Sequence, residues 1–179
     1  MKNLLIRTIS LFAALAVTTA YAWDPKEVEE RHEKAMEAKA EMLDKDADMQ
    51  RFFDSAVAYV IIPTVGKGGI GIGGARGKGL LYEGGAITGE VTLTQLTFGF
   101  QWGGQAYSEF IFFKDDVALA DFKRGNYELG AQASAVAVTA GASADADYDG
   151  GIAVFTMAKG GLMYEASVGG QKFSYTPAK

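Results

Sequence analysis

Cysteine is absent from the sequence, histidine occurs once and proline only three times. The lack of thiols excludes disulfides, thiolate metal centres, cysteine nucleophiles and a lipidated N-terminal cysteine. A single histidine leaves little room for histidine-based catalysis or a multi-histidine metal site. Basic residues are also outnumbered, 17 against 22 acidic, for a net charge of −5. That balance argues against nucleic acid as a partner and against attraction to anionic membranes through overall charge. What the chain has is glycine, 23 residues in 179, within an otherwise globular composition that is 49% hydrophobic.

The first 22 residues read as a secretory leader. Lys2 and Arg7 precede a short apolar run from Leu11 to Val17, and Ala20-Tyr21-Ala22 supplies the small-x-small pattern of a cleavage site. The run is shorter than a spanning helix needs, so cleavage after Ala22 is preferred over an N-terminal anchor. Losing Lys2 and Arg7 takes the net charge to −7. The expected location is the periplasm or the outside of the cell.

Residues 23–51 form a charged, glycine-free segment. Asp24-Pro25 is a helix opening, with aspartate as N-cap and proline at the first helical position. Val28, Met36, Met42, Leu43 and Met49 make a thin apolar stripe, and Glu27/Arg31, Glu30/Lys34 and Glu41/Lys45 are favourable i,i+4 pairs. One or two mostly solvated helices are predicted, with His32 solvated among Glu29, Glu33 and Glu37. Residues 52–179 differ sharply, holding nearly all the glycine. Phe52–Ile62 reads as a helix end feeding a buried strand. From Gly66 to Gly85 every second residue on average is glycine, the pattern of a bulged strand pair with close backbone packing. Ile87, Val91 and Leu93 alternate with polar residues, and the phase then slips so that Leu96, Phe98, Phe100 and Trp102 alternate instead. The slip predicts a bulge near Thr94-Gln95 or a break between two strands.

Phe110–Phe113 has the pattern of a strand buried on both faces. Asp115 or Asp116 can cap a short helix carrying Val117, Leu119 and Phe122, with Gly125 at its exit. Tyr127–Ala146 is alanine-rich and reads as strand. Ile152–Met157 and Leu162–Val168 read as a hairpin, and Gln171–Tyr175 as a last strand. The fold class is therefore α+β: an N-terminal helical segment on a mostly antiparallel, glycine-rich sheet or barrel-like sheet, with one inserted short helix.

Two glycine spacings, starting at Gly66 and at Gly69, satisfy the dinucleotide pattern, but no helical period follows either. Gly77-Lys78 resembles the end of a phosphate loop, yet Gly79 stands where a magnesium-binding hydroxyl is required. No cofactor is expected. Glycine-rich backbone can nonetheless form an anion-binding concavity, and Lys67, Arg76 and Lys78 are close by in sequence, which makes them the candidate headgroup site. Asp145, Asp147 and Asp149 followed by Gly150 match the first half of a calcium loop, but Thr156 occupies the twelfth position where glutamate is needed. They are a weak calcium candidate. No serine sits in a nucleophile elbow, so an enzyme is not expected.

The run Pro63-Thr64-Val65-Gly66-Lys67-Gly68-Gly69-Ile70-Gly71-Ile72-Gly73-Gly74, followed by Gly77-Lys78-Gly79, resembles the opening of the SYLF domain, also called Ysc84-type or DUF500. The similarity continues through Phe98-Gly99-Phe100-Gln101-Trp102-Gly103-Gly104-Gln105, Gly125-Asn126-Tyr127-Glu128-Leu129-Gly130 and Lys159-Gly160-Gly161-Leu162, covering roughly residues 45–179. This resemblance implies a lipid-binding domain that partners a lipid or membrane surface. Eukaryotic relatives bind phosphoinositides and fungal ones engage actin, but an exported chain resembles the bacterial branch, where actin is not expected. Many family members carry an arginine after the alanine-rich stretch; here Ala140-Gly141-Ala142-Ser143 and then the aspartates stand instead, which points any headgroup to Lys67, Arg76 and Lys78. The alternatives are a small outer-membrane β-barrel, suited by the leader and the period-two aromatics, and a structural or protein-interaction domain without a small ligand.

Overall fold

The computed structural model describes residues 23–99, 105–130, 133–144, 146–160 and 168–179, with backbone alone for 70–72 and 97–99. The leader, Phe100–Gly104, Asp145 and most of the Leu162–Val168 segment therefore lie outside the described residues. Helix α1 (Pro25–Lys45) starts as its sequence demands: the Asp24 carboxylate accepts from the Lys26 amide at 2.9 Å, and Pro25 occupies the first turn. A 3-10 turn (Ala47–Met49) and the short α2 (Gln50–Ser55) follow. Strands β1 (Ala58–Glu83), β2 (Ala86–Gly99) and β3 (Gln105–Phe113) come next, then α3 (Asp116–Lys123). Among the described residues, strands β4 (Tyr127–Glu128), β5 (Val136–Ala137), β6 (Ile152–Ala158) and β7 (Lys172–Pro177) follow.

The sheet order is β4-β7-β2-β1-β3-β6-β5, antiparallel except for the β5–β6 pair. β1 is too long to be one straight strand. Residues 61 and 79 would stand roughly 60 Å apart in an extended chain. Yet a Cβ on Gly79 would press on the Ile61 carbonyl oxygen and lie 2.7 Å from Ile62 Cγ1, and one on Gly77 would lie 3.0 Å from the Thr64 oxygen. The element doubles back, so residues 58–67 pair with β3 and residues 71–83 with β2. The result is an eight-limbed, curled half-barrel. Gly77 and Gly79 are small because neighbouring backbone occupies the space a side chain would need. The glycine-rich segment is thus the reversal and one long limb, 71–83, which pairs with β2 rather than forming a strand pair within itself.

Strands β1, β3 and β6 are buried on both faces. Val60, Ile62, Leu81, Ile111, Phe113, Ile152 and Val154 point into the concave side, where α3 contributes Ala118, Leu119 and Phe122. Ile61, Leu80, Tyr82, Phe110, Phe112 and Phe155 point to the convex side, where α1 and α2 contribute Val28, Ala35, Ala38, Met42, Phe52 and Phe53. The period of two in the strands and of three to four in α1 puts one apolar set against the other.

Several expectations need correction. α1 is exposed over most of its residues, as predicted, but the stripe it buries on the sheet is Val28, Ala35, Ala38 and Met42, so two alanines belong to it. His32 is half-buried, its Nδ1 3.0 Å from the Tyr82 hydroxyl, rather than a solvated histidine. The phase slip in β2 is no bulge, because register with β1 runs unbroken from Gly71↔Gly99 to Leu81↔Gly89 and shifts only at Leu81/Tyr82. Gln95 instead takes the buried position after Val91 and Leu93, its amide donating to the Gly169 carbonyl at 3.0 Å, while Leu96 is turned out. Among its described residues, Tyr127–Ala146 is mainly turn and loop, with the two-residue strands β4 and β5. The α3 boundaries are as predicted: Asp115 Oδ1 accepts from the amides of Val117 and Ala118, and Gly125 exits at φ 81°.

Candidate functional site

The three basic residues are split between faces. Alternation along β1 places Lys67 on the side of Val65, the concave side, whereas Arg76 and Lys78 alternate with the inward Ala75 and Gly77. On the convex face the cross-strand ladder runs Leu80↔Glu90, Lys78↔Thr92, Arg76↔Thr94 and Gly74↔Leu96. Helix α1 covers the first rung, where Leu80 is buried, and its Arg31 forms an ion pair with Glu90. Beyond that rung the face is open. Arg76 and Lys78 are exposed, and Leu96 exposes 75% of its surface, an unusual placement for leucine. Lys78 also borders a cleft of about 390 Å³ between β1 and the first turns of α1, together with Lys34, Glu27 and Glu30. Lys67 is thus not brought to the surface that Arg76 and Lys78 share.

The acidic run ends in a tight turn. Asp149 and Ile152 exchange backbone hydrogen bonds at 2.9 and 3.0 Å around Gly150 (φ 56°) and Gly151 (φ 83°), a two-residue hairpin turn feeding β6. Thr156, the twelfth position of the calcium pattern, lies buried in that strand. Asp147 Oδ1 accepts from the Tyr148 amide at 2.7 Å. Asp147 and Asp149 border a second cleft, about 330 Å³, with Tyr127, Leu129, Val136 and Val154. Because Tyr127 belongs to edge strand β4 and Val136 to edge strand β5, this cleft is the seam where the half-barrel fails to close. Asp145 lies outside the described residues, and among those described no group of three or more metal-binding side chains occurs.

The concave side holds a polar set that sequence reasoning missed. Glu109 is fully buried, and its Oε2 accepts from Gln171 Nε2 at 2.9 Å; the same amide lies 3.2 Å from the Tyr107 hydroxyl. Thr156 stands directly opposite Glu109 in the β3–β6 ladder. Glu109 Oε1, Gln171 Oε1 and Thr156 Oγ1 find no protein donor among the described residues. Burial pushes the Glu109 carboxyl up to about 8, against a smaller opposing pull from the Gln171 hydrogen bond. Burial, helped by the nearby Glu109, also raises the Tyr107 hydroxyl well above its usual range. The signal was a lone glutamate two residues from Tyr107 inside the apolar run of β3.

With the curled sheet and its three helices in view, comparison with known families gives one match. Residues 94–177 fit the model of the Ysc84 family, described as Las17-binding protein actin regulator. That segment is a Ysc84-type, or SYLF, domain. In the Ysc84 segment lie β3, α3 and β4 to β7, including Glu109, Gln171 and the acidic turn. Arg76 and Lys78 precede it. No curated protein matches the chain.

Proposed function

We propose that this protein is a non-enzymatic lipid-binding module, exported through its leader and docking on phospholipid through the open end of its convex sheet face. The observation that carries the reading is the strip Lys78, Arg76 and Leu96, two exposed cations and an exposed leucine on successive rungs of one ladder. An interfacial contact needs that mixture, with cations at the phosphate level and an apolar group entering the headgroup boundary. Each basic residue near an anionic surface contributes about 1 kcal/mol. A local strip is what a chain of net negative charge requires for such a contact. The actin role in the family description stays with the members it describes, since a chain outside the cytoplasm meets no actin. The outer-membrane barrel fits less well, because the outward face of β1, β3 and β6 is covered by α1 and α2 rather than free for lipid.

The test is co-sedimentation with phosphatidylglycerol vesicles. The expected result is binding that falls more than tenfold in Arg76→Glu/Lys78→Glu and also weakens in Leu96→Asp, with unfolding temperature unchanged. Binding that ignores all three substitutions would refute this docking face.

A further inference from the structure

Glu109 Oε1, Thr156 Oγ1 and Gln171 Oε1 have no hydrogen-bond partner among the described residues, and their side chains expose 1% or less of their surface. Native folds pair nearly all such oxygens, so three in one set call for a physical account. They also lie close together. The Lys114 amide donates to the Gly151 carbonyl and the Lys159 amide to the Ala106 carbonyl, each at 2.9 Å, which fixes the phase of the β3–β6 ladder. In that phase Glu109 and Thr156 exchange no backbone bonds. Such a pair has its Cα atoms only about 4.5 Å apart and its side chains nearest each other. On the other flank Gln171 Nε2, 2.9 Å from Glu109 Oε2, brings its own amide oxygen alongside. The carboxyl is thus flanked by a hydroxyl and an amide oxygen, neither of them bonded to Oε1.

We infer that Glu109, Thr156 and Gln171 form an internal hydration site that holds one water molecule as part of the fold. A water both donates and accepts, so one molecule serves all three oxygens. With Glu109 protonated, its Oε1–H donates to the water, which donates in turn to Gln171 Oε1 and Thr156 Oγ1. Three bonds is about the usual number for a buried water. A metal cation suits the set less well. Calcium takes about six to eight oxygens, and three that include a carboxyl held neutral by burial supply neither the number nor the charge. Solvent has a route to the site. Ile152, Val154 and Thr156 follow one another on the concave face of β6, and Val154 lines the seam cleft between β4 and β5. The set therefore lies one inward-facing residue beyond that cleft, and its water exchanges through the seam.

Oxygen-17 magnetic relaxation dispersion counts the waters that a protein holds for longer than its own tumbling time. The wild type is expected to hold one more such water than Glu109→Leu/Thr156→Val, which replaces two of the three partners by apolar groups. A crystal structure of the wild type gives a readout that does not depend on the variant folding. It should show a single peak within hydrogen-bond distance of all three oxygens. Equal water counts in the two folded proteins overturn the site, as does wild-type density with Glu109 Oε1 bonded directly to Thr156 Oγ1. A peak that gains an anomalous signal when rubidium replaces sodium identifies a cation and overturns water as the occupant.

Discussion

Glu109 makes stability depend on pH in a direction opposite to that of most carboxylates. In the unfolded chain its carboxyl titrates near 4.5, and in the fold near 8, because the charged form would be stranded inside the half-barrel. A proton is therefore retained by the folded protein and released by the unfolded one between these values. Stability from this group is fully present below pH 4.5, falls as pH rises and is lost by pH 8. Each pH step in the window costs about 1.4 kcal/mol, so the whole interval amounts to about 5 kcal/mol, a large part of the 5–15 kcal/mol that holds a domain folded. Local geometry supports the neutral form, since a proton on Oε1 gives a donor to the cluster that includes Thr156 Oγ1 across the ladder. The assay is urea unfolding of the wild type and Glu109→Gln at intervals from pH 5 to 9. Glutamine is nearly isosteric and cannot ionise. Subtracting its curve removes the contribution of the groups common to both proteins. The difference should grow by several kcal/mol in favour of Glu109→Gln as pH rises. A difference that stays flat, or one that grows toward acid pH, would refute the reasoning.

Three further outcomes follow from particular contacts. Gly79→Ala should lower stability by about 2–3 kcal/mol, seen as a drop in unfolding temperature, because the new methyl meets the Ile61 carbonyl rather than a movable side chain. Asp115→Ala should cost about 1 kcal/mol in denaturant unfolding through loss of the α3 cap, while Asp116→Ala, which does not cap, should cost less. Calcium added to the protein in a calorimeter should give no heat, since the acidic run closes in a two-residue turn; a saturable heat that Asp147→Ala removes would restore it as a cation site.

Much of the architecture was readable because it rests on local chemistry. Asp24-Pro25 and Asp115 announce helix starts through their own side-chain oxygens, and Phe110–Phe113 announces a strand buried twice over because no polar residue interrupts it. The misreadings share another cause. Ala35 and Ala38 carry too little apolar surface to mark a stripe, yet their smallness is what lets α1 lie close on β1. Leu96 looked like a change of phase, since a period count assumes that leucine goes inside; here glutamine does, bonded to the Gly169 carbonyl. Arg76 and Lys78 could be grouped from sequence, being two apart on a strand. Separating Lys67 from them required knowing where the chain reverses, and a run with glycine throughout does not mark its own turn. The Glu109 set is non-local, its partners lying 47 and 62 residues downstream.

The position of β1 in the sheet also bears on how far the recognisable family segment can travel by itself. The match opens at Thr94, inside β2, whereas the strand lying between β2 and β3 is β1, made entirely of earlier residues. A polypeptide beginning at Thr94 would keep a shortened β2 and an intact β3 with nothing to join them, each presenting unpaired backbone to solvent. It would also bare Phe110, Phe112 and Phe155, which the early helices cover. Similarity and foldability thus have different borders here. Any protein that acquired residues 94–177 without the helix and the doubled strand before them would receive the two flanks of a sheet without its middle.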